Sequence, residues 1–498
     1  MYTPSLKEFL RLTAKGNVIP VFKEIPAGTD TPVSAYLKAA KGDYSFLFES
    51  VEGTKKIARY SFLGSNPLLI FKSKSRNIRI IYPQRKKTVS FSVKGTPLDE
   101  IKKIMQGLKS VRFAGLPRFY GGLVGYIGYD TVRFFEKIPD KNPDDLNVPD
   151  VLLLLADTLL AFDHLKNSIK IVANCLLPEK RGAVLSRRQK INIYQKALEK
   201  IESIQKDFNG SSIGKKAKIG RRRLKADVSS NFKKGQFCRM ARAAKDYIKK
   251  GDIIQVVLSQ RFKIRIRKEP FEIYRRLRSL NPSPYMFFLK LNGIILAGSS
   301  PEMLLRCEEG LIQTRPIAGT RPRGKTKEED RRLADELKND AKEKAEHLML
   351  VDLGRNDLGR VSKAGQVKVS EFMNVEKYSH VMHLVSEVRG ILDKKRFGVY
   401  DVLRAAFPAG TVSGSPKIRA MEIIDEMENI RRGPYAGCVG YFGFSGNMDT
   451  CITIRTIVIK GRYAYVQAGS GIVADSIPEK EYEESVNKAR AMIEAIIK

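Results

Sequence analysis

The stretch that decides the fold and the chemistry of this chain runs from residue 315 to residue 361. It opens with RPIAGTRPRG (residues 315–324) and closes with AEHLMLVDLGRNDLGRV (residues 345–361). Glycine and proline punctuate the first segment, which predicts a turn where backbone amides can approach a ligand closely. Residues 330–353 contain neither glycine nor proline and are rich in Glu, Lys, Ala and Leu. This composition predicts a helix that ends at Gly354.

Two acidic residues give this predicted helix a possible function. Glu343 and Glu346 are three positions apart, so both carboxylates lie on one helix face. Paired carboxylates beside a glycine-bearing turn can hold a divalent metal together with an anionic small molecule. A surface helix with solvated acidic side chains has the same spacing, and the spacing alone leaves both interpretations open.

Length and composition indicate a globular protein. The 498 residues are 43% hydrophobic and 29% charged, which allows about two to four domains or one large α/β unit. The five cysteines are scattered and form no CxxC pair, so neither a disulfide framework nor a zinc site is indicated. The N-terminus has no apolar signal core, and the longest apolar run, residues 151–162, is shorter than the roughly 20 residues of a membrane span. We therefore expect a cytoplasmic protein without membrane association.

The charge balance is unusual. Lys and Arg number 90 against 54 for Asp and Glu, a formal net charge of +36. Such a balance is typical of nucleic-acid-binding proteins, but it also attracts anionic substrates by long-range steering. No nucleic-acid motif accompanies the charge, so a lysine-rich surface is the preferred interpretation. A nucleic-acid function would be tested first at Arg221, Arg222 and Arg223.

The chain divides into three parts by pattern. Residues 1–177 form an N-terminal, mainly β region, and residues 229–498 alternate between helices and strands up to a closing helix that starts near Pro478. Residues 178–228 form a basic connector, with a predicted helix over 191–208 followed by a Gly/Ser-rich, strongly basic segment. The glycine-rich segment at 120–130 lacks a following GK[ST], which favours a strand over a phosphate loop.

The 315–361 stretch, with further matches over most of the chain, resembles the signature of the chorismate-utilising enzymes, and most closely their anthranilate-forming members. The resemblance implies an α+β fold in which two antiparallel sheets pack together with helices outside, and in which the N-terminal and C-terminal regions interleave. It implies conversion of chorismate and ammonia to anthranilate and pyruvate in tryptophan biosynthesis, with Mg²⁺. The ammonia is expected to come from glutamine through a separate glutamine amidotransferase subunit.

Two positions distinguish the branches of this family. Gln255 stands where isochorismate-forming and salicylate-forming relatives carry a lysine that activates water, which implies ammonia as the nucleophile here. Ala318 stands where aminodeoxychorismate-forming relatives carry a lysine nucleophile, which favours anthranilate formation. The aminodeoxychorismate-forming branch is the alternative within the family.

The resemblance also assigns site residues. His383 is the implied acid/base group, acting beside Thr320, because histidine moves protons near neutral pH. Chorismate has two carboxylates, which a metal, arginine and backbone amides can bind. The implied metal ligands are Glu346 and Glu484, with direct or water-mediated contact by Glu343 and Glu481 left open. The implied substrate-binding residues are Gly319, Thr320, Tyr435, Arg455, Gly469, Ser470 and Gly471.

A regulatory site for L-tryptophan is implied by two further matches. They are Glu49 and Ser50 in the N-terminal region, and the segment Pro284, Tyr285 and Met286. Phe48 stands where leucine is more usual, which bears on the affinity of this site.

Overall fold

The computed structural model of the protein describes residues 1–50, 59–178, 185–210, 227–378 and 381–498. Arg221, Arg222 and Arg223 lie outside these residues, as does most of the basic segment around them.

Within the described residues, the strands form two large antiparallel sheets. The strands are numbered in chain order. The first sheet has the spatial order β1 (Tyr2–Thr3), β2 (Val18–Pro26), β11 (Ser168–Leu176), β10 (Thr158–Asp163), β4 (Tyr60–Ser65), β3 (Tyr44–Glu49), β14 (Tyr285–Leu291), β15 (Ile294–Ser300), β24 (Thr456–Lys460), β25 (Tyr463–Ile472), β13 (Gln255–Arg265) and β12 (Val228–Ser230), with β21 (Gly414–Ser415) also paired to β13.

The second sheet has a comparable size. Its order is β18 (Ile317–Pro322), β20 (Val381–Ile391), β17 (Leu311–Thr314), β16 (Met303–Glu308), β23 (Met448–Ile452), β22 (Cys438–Gly443), β8 (Gly122–Ile127), β9 (Val151–Ala156), β5 (Leu69–Lys74), β6 (Asn77–Tyr82) and β7 (Lys87–Ser92), with β19 (Lys368–Lys377) also paired to β20. The glycine-rich segment at 120–130 supplies β8, as the sequence predicts.

Each sheet combines strands from both ends of the chain. In the first sheet β3 pairs with β14, and in the second β22 pairs with β8. The strands before residue 178 therefore share their hydrogen bonds and their core with strands after residue 228. This arrangement confirms the predicted α+β fold of two packed antiparallel sheets.

The core follows from the two-residue period of the strands. Successive side chains point to opposite faces of a sheet, so Phe46 joins the large apolar cluster that contains residues of both sheets, while its neighbour Leu47 joins a second cluster under the outer helices. Strand β9 is buried along its whole length, which explains its unbroken run of leucines.

The helices lie outside and around the sheets. They are α1 (Leu6–Leu12), α2 (Pro32–Ala39), α3 (Pro97–Gln106), α4 (Arg187–Gly210), α5 (Lys234–Lys249), α6 (Pro270–Leu280), α7 (Lys327–Asn339), α8 (Ala341–Gly359), α9 (Val399–Ala406), α10 (Gly410–Ser413), α11 (Lys417–Met427) and α12 (Pro478–Ile497). Judged by length and hydropathy, no helix in the described ranges is suited to cross a membrane. Helix α4 confirms the helix predicted inside the connector, and it buries Tyr194, Ala197 and Ile201 against the first sheet.

The deciding stretch differs from the sequence prediction in two ways. The predicted turn at 315–324 is wrong, because residues Ile317–Pro322 form β18, which pairs with β20. The predicted single helix is also wrong, because Asp340 ends α7 and caps α8 by accepting hydrogen bonds from the amides of Lys342 and Glu343. Helix α8 then continues through Gly354, where an added Cβ would come within 3.1 Å of Thr314 Cγ2. This glycine serves close packing of α8 on the sheet, so it does not end the helix.

Candidate active site

Strand β20 carries the predicted acid/base residue between two flanking strands. His383 pairs with Thr320 of β18 on one side and with Glu376 of β19 on the other. The register of β18 shifts between Ala318 and Thr320, which marks a bulge at Gly319. Bulges re-aim side chains and carbonyls next to active sites, and this one points a carbonyl oxygen at the His383 ring.

The hydrogen bonds of His383 define its tautomer. Its Nδ1 lies 2.9 Å from the Gly319 carbonyl oxygen, and because a carbonyl only accepts, Nδ1 must carry the hydrogen. The Thr320 hydroxyl oxygen, 3.0 Å from the same nitrogen, is then a second acceptor. Nε2 is left as the nitrogen that accepts or delivers a proton. Burial lowers the pKa of His383, although the hydrogen bond to Gly319 opposes the shift.

Gly319 cannot be exchanged for a larger residue without strain. Its φ is +67°, a left-handed conformation that favours glycine. An added Cβ would lie 2.9 Å from Leu337 Cδ1 and 3.0 Å from Glu343 Oε2. The glycine of the PIAGT segment is therefore required by both conformation and space.

Arg455 is a cationic group of the cleft without a bound carboxylate. It donates a hydrogen bond from Nη1 to the Lys488 carbonyl oxygen. Among the described residues, no carboxylate oxygen forms an ion pair with it within 4.0 Å. Burial lowers the pKa of Arg455, while the nearby Tyr435 and Glu484 oppose this shift. A guanidinium that is desolvated and lacks an ion-pair partner is prepared to bind an anion.

The predicted glycines of β25 bring the backbone close to its neighbours. An added Cβ on Gly469 would lie 2.4 Å from the Leu258 carbonyl oxygen, and one on Gly471 would lie 2.6 Å from Gln255 Nε2. Ser470, between them, is fully buried beside Glu481. These two glycines therefore allow the backbone of β25 to lie close to β13.

The predicted metal ligands form two carboxylate pairs. Glu346 accepts a hydrogen bond of 2.8 Å from Gln255 Nε2, and Glu484 forms an ion pair of 2.6 Å with Lys488. Burial and the neighbouring Glu346 raise the pKa of Glu343. Burial, with a smaller contribution from Glu484, also raises the pKa of Glu481.

The two pairs approach the same part of β25. Glu346 binds Gln255, which lies against Gly471, and Glu481 lies beside Ser470. Both pairs supply only oxygen donors, the ligand type that Mg²⁺ prefers. Glu343 also forms an ion pair of 3.3 Å with Arg321, and the Glu484 side chain is half exposed. The described residues contain no preformed group of three or more metal-ligating side chains.

Three residues that the sequence did not assign to substrate binding or proton transfer complete this region. Glu302 is buried, and burial raises its pKa to about 8, although contacts with Thr411 and the Ile317 amide oppose the shift. Lys488 donates to the Gly469 carbonyl oxygen at 3.1 Å. Gln255 is only 3% exposed, and among the described residues its Oε1 has no hydrogen-bond partner. Two sequence signals could have indicated these residues. Glu302 is an acidic residue next to the apolar run of SPEMLL, and Lys488 lies four positions after Glu484.

The predicted tryptophan-site residues line a separate cavity between the sheets. Phe48, Ser50, Pro284 and Met286 line its walls. At its polar end Asp449 accepts hydrogen bonds of 3.0 Å from both Tyr285 and Arg306. Glu49 also lines the cavity; its carboxylate accepts a hydrogen bond of 2.5 Å from the Tyr274 hydroxyl and forms an ion pair of 3.1 Å with Arg278. The cavity thus combines an apolar interior with separated acidic and basic groups.

The sequence profile described as chorismate binding enzyme matches residues 45–494. Anthranilate synthase component 1 of Acetivibrio thermocellus is 47% identical over 100% of this chain and 99% of its own length. The corresponding protein of Aquifex aeolicus is 48% identical over 99% and 97% of the two chains. The chain belongs to the anthranilate synthase component 1 family of chorismate binding enzymes.

Solved structures agree with this family. The crystal structure of anthranilate synthase component I from Streptococcus pneumoniae superposes with a TM-score of 0.77 at 36% identity, covering 94% of this chain and 98% of that one. The menaquinone-specific isochorismate synthase MenF of Escherichia coli superposes with a TM-score of 0.70 at 18% identity, covering 100% and 99% of the two chains, which shows the shared fold alone.

Proposed function

We propose that this protein is a Mg²⁺-dependent lyase that converts chorismate and ammonia to anthranilate and pyruvate, as the synthase component of a tryptophan-biosynthetic anthranilate synthase. The observation that carries the proposal is the state of Gln255. Its amide nitrogen is held by Glu346, while its buried Oε1 lacks a partner among the described residues. A neutral acceptor of this kind can hold an N–H of ammonia, but it cannot deprotonate water.

Substrate binding uses the charges of the cleft. Arg455 binds one chorismate carboxylate with a charge-assisted hydrogen bond, and the amides of Gly469, Ser470 and Gly471 support it. Tyr435, which is close enough to Arg455 to affect its pKa, bounds the same region. The carboxylates of Glu346 and Glu484 would hold the metal, and Glu343 and Glu481 would contact it directly or through water. A bound Mg²⁺ would neutralise the charge of the second substrate carboxylate.

The proton transfers are assigned to His383 and Glu302. Ammonia adds at ring C2, and the C4 hydroxyl takes a proton and leaves as water. Glu302 is protonated at neutral pH because its pKa is about 8, which makes it a proton donor in the buried cleft. His383 carries a hydrogen on Nδ1 and exchanges a proton through Nε2, assisted by Thr320. Loss of the C2 proton and of the enolpyruvyl group, which is released as pyruvate, then gives anthranilate.

Ammonia supply and feedback inhibition complete the proposal. A separate glutamine amidotransferase subunit supplies ammonia, so the chain alone uses ammonium but not glutamine. L-Tryptophan occupies the cavity between the sheets and inhibits the reaction. Its indole ring would fill the apolar interior, and its charged ends would face Glu49 and Arg306. All five cysteines are free and buried, which suits a reducing cytoplasm.

The test is anthranilate fluorescence from the purified chain with chorismate, Mg²⁺ and ammonium. We expect a signal that disappears when the metal is chelated and that L-tryptophan suppresses. Glutamine should not replace ammonium in this assay. Gln255→Met should raise the KM for ammonium more than the KM for chorismate, which changes as well because the variant also removes the hydrogen bond to Glu346. Chorismate consumption without anthranilate would contradict the proposal and favour aminodeoxychorismate formation. Binding of a DNA duplex at physiological salt would instead support the nucleic-acid interpretation of the +36 charge.

A further inference from the structure

Glu376 lies opposite the acid/base residue without contacting it directly. The two residues are register partners across β19 and β20, and side chains of directly paired residues lie on the same face with Cβ atoms about 5 Å apart. Glu376 therefore occupies the side of His383 that faces away from Thr320.

Two hydrogen bonds fix the carboxylate of Glu376. Arg315 Nη2 donates to its Oε1 at 2.6 Å, and the Tyr378 hydroxyl donates to its Oε2 at 2.9 Å. The Tyr378 ring in turn meets the His383 ring at a centroid distance of 5.7 Å and an interplanar angle of 61°. An edge-to-face contact of this kind orients a ring, so Glu376 is connected to His383 through Tyr378.

Arg315 joins several carboxylates beside Glu376. It is 3.5 Å from Glu371 and 3.7 Å from Glu387, and Arg389 forms a further ion pair with Glu387. On the same strand, Lys377 pairs with Asp330, which also binds Arg323. Glu376 is thus held within a network of ion pairs among the described residues.

Among the described residues, the polar groups that face His383 come from three elements. Gly319 and Thr320 come from β18, Glu376 and Tyr378 from β19, and Arg455 from the segment before β24. The two charges among them oppose each other, because Arg455 lowers the pKa of His383 and Glu376 raises it.

We propose that Glu376 is a positioning residue for His383, which orients the imidazole ring through Tyr378 and stabilises its protonated form by charge. Its catalytic consequence rests on the proposed function, whereas its effect on the ring does not. Without Glu376, burial and Arg455 would both act to keep His383 neutral, and its capacity to deliver a proton at neutral pH would fall.

The first test measures the ring directly. The chain has four histidines, His164, His347, His380 and His383, so NMR titration of histidine-labelled full-length protein gives few signals, and His383→Asn assigns the relevant one. In Glu376→Gln, which keeps an acceptor for Tyr378, we expect the midpoint of His383 to fall by about half a pH unit. Glu371→Gln is the matched control. It also removes a carboxylate that contacts Arg315, but residue 371 is the strand partner of Glu387 and not of His383. An unchanged midpoint in Glu376→Gln, or an equal shift in both variants, would overturn the proposal.

The second test measures the reaction. Glu376→Gln should lower kcat for anthranilate formation about tenfold at neutral pH with little change in the KM for chorismate, and Glu371→Gln should not. Tyr378→Phe keeps the ring but loses the hydroxyl, and it should give a smaller loss in the same direction. A wild-type chain that forms no anthranilate would contradict the proposed function while leaving the NMR result to decide on Glu376. A loss in Glu376→Gln that appears only as a raised KM would contradict the positioning role.

Discussion

Arg432 and Arg455 are both removed from bulk solvent, but their surroundings differ completely. Arg432 is 2% exposed and donates to both oxygens of Glu428, at 3.0 and 2.6 Å, and to two backbone carbonyls at 2.7 Å. It also lies against the rings of Tyr129 and Tyr435. The Arg455 side chain donates a hydrogen bond to the Lys488 carbonyl, and in the described part of the chain it has no ion-pair partner. Their pKa values move in opposite directions, raised for Arg432 and lowered for Arg455, where burial dominates.

The difference shows how a structural charge is distinguished from a binding charge. A buried guanidinium whose donors are all used stabilises its surroundings and has nothing left for a ligand. One that is desolvated but unpaired raises the free energy of the empty cleft, and binding an anion removes this cost. Gln255, with its unpartnered Oε1, belongs to the second kind. Both kinds meet at Tyr435, which contacts Arg432 and lies near Arg455.

The largest effect is expected at the paired arginine. Arg432→Met leaves the buried carboxylate of Glu428 without its partner, and breaking such a pair costs about 3–5 kcal/mol of folding free energy. Urea unfolding of the purified variant measures this loss. The double variant Arg432→Met/Glu428→Met should recover part of the stability, because no buried charge is then left unpaired, although Ser259 loses its acceptor. Wild-type stability in the single variant would remove the distinction between the two arginines.

Arg455→Met should affect the reaction while leaving the fold intact. Loss of the charged contact to a substrate carboxylate should lower kcat/KM for chorismate by about 10²–10³-fold, and the unfolding temperature should stay the same or rise. Arg462→Met, at the exposed turn between β24 and β25, is the control and should change neither quantity. A destabilised Arg455→Met protein would indicate that this arginine is structural as well.

Glu302→Gln should reduce turnover and change the pH dependence of stability. Removing the proton donor should lower kcat about 10²-fold. In the folded protein the carboxyl keeps its proton to about pH 8, whereas its ordinary pKa is 4.5. Between these values the folded state binds more protons than the unfolded state, so this group makes stability fall as pH rises. Unfolding of Glu302→Gln measured from pH 5 to pH 8 should lack this contribution, while Glu308→Gln should retain it.

The smallest effect is expected at a third arginine, in the cavity between the sheets. Arg118 lies 3.3 Å from Asp449, and its Nε has no hydrogen-bond partner among the described residues, so it is intermediate between the other two. Arg118→Met should weaken inhibition by L-tryptophan about tenfold while leaving uninhibited anthranilate formation unchanged. Inhibition curves at fixed chorismate check this expectation. Unchanged inhibition would place the amino-acid site elsewhere.

The motifs of the sequence indicated the family, and the resemblance implied the two-sheet fold, whereas local periodicity predicted individual helices such as the one inside the connector and the closing helix. The sequence assigned His383, Thr320 and Gly319, which β18 and β20 do bring together. It also named the residues of the predicted tryptophan site, and in the structure these residues lie around one cavity. The metal ligands and the cofactor remain predictions.

Only the tertiary structure decided what depends on pairing between distant segments. The glycines and prolines of 315–324 indicate a turn locally, yet hydrogen bonds to β20, more than 60 residues later, make β18 a strand. The proton-donor state of Glu302 comes from burial between elements that are separate in sequence. Glu376 faces His383 because of the register between β19 and β20. Bulges in β19 shift this register, so the sequence does not reveal the pair. Local sequence fixes which groups are available, but strand register and burial fix their partners and proton affinities.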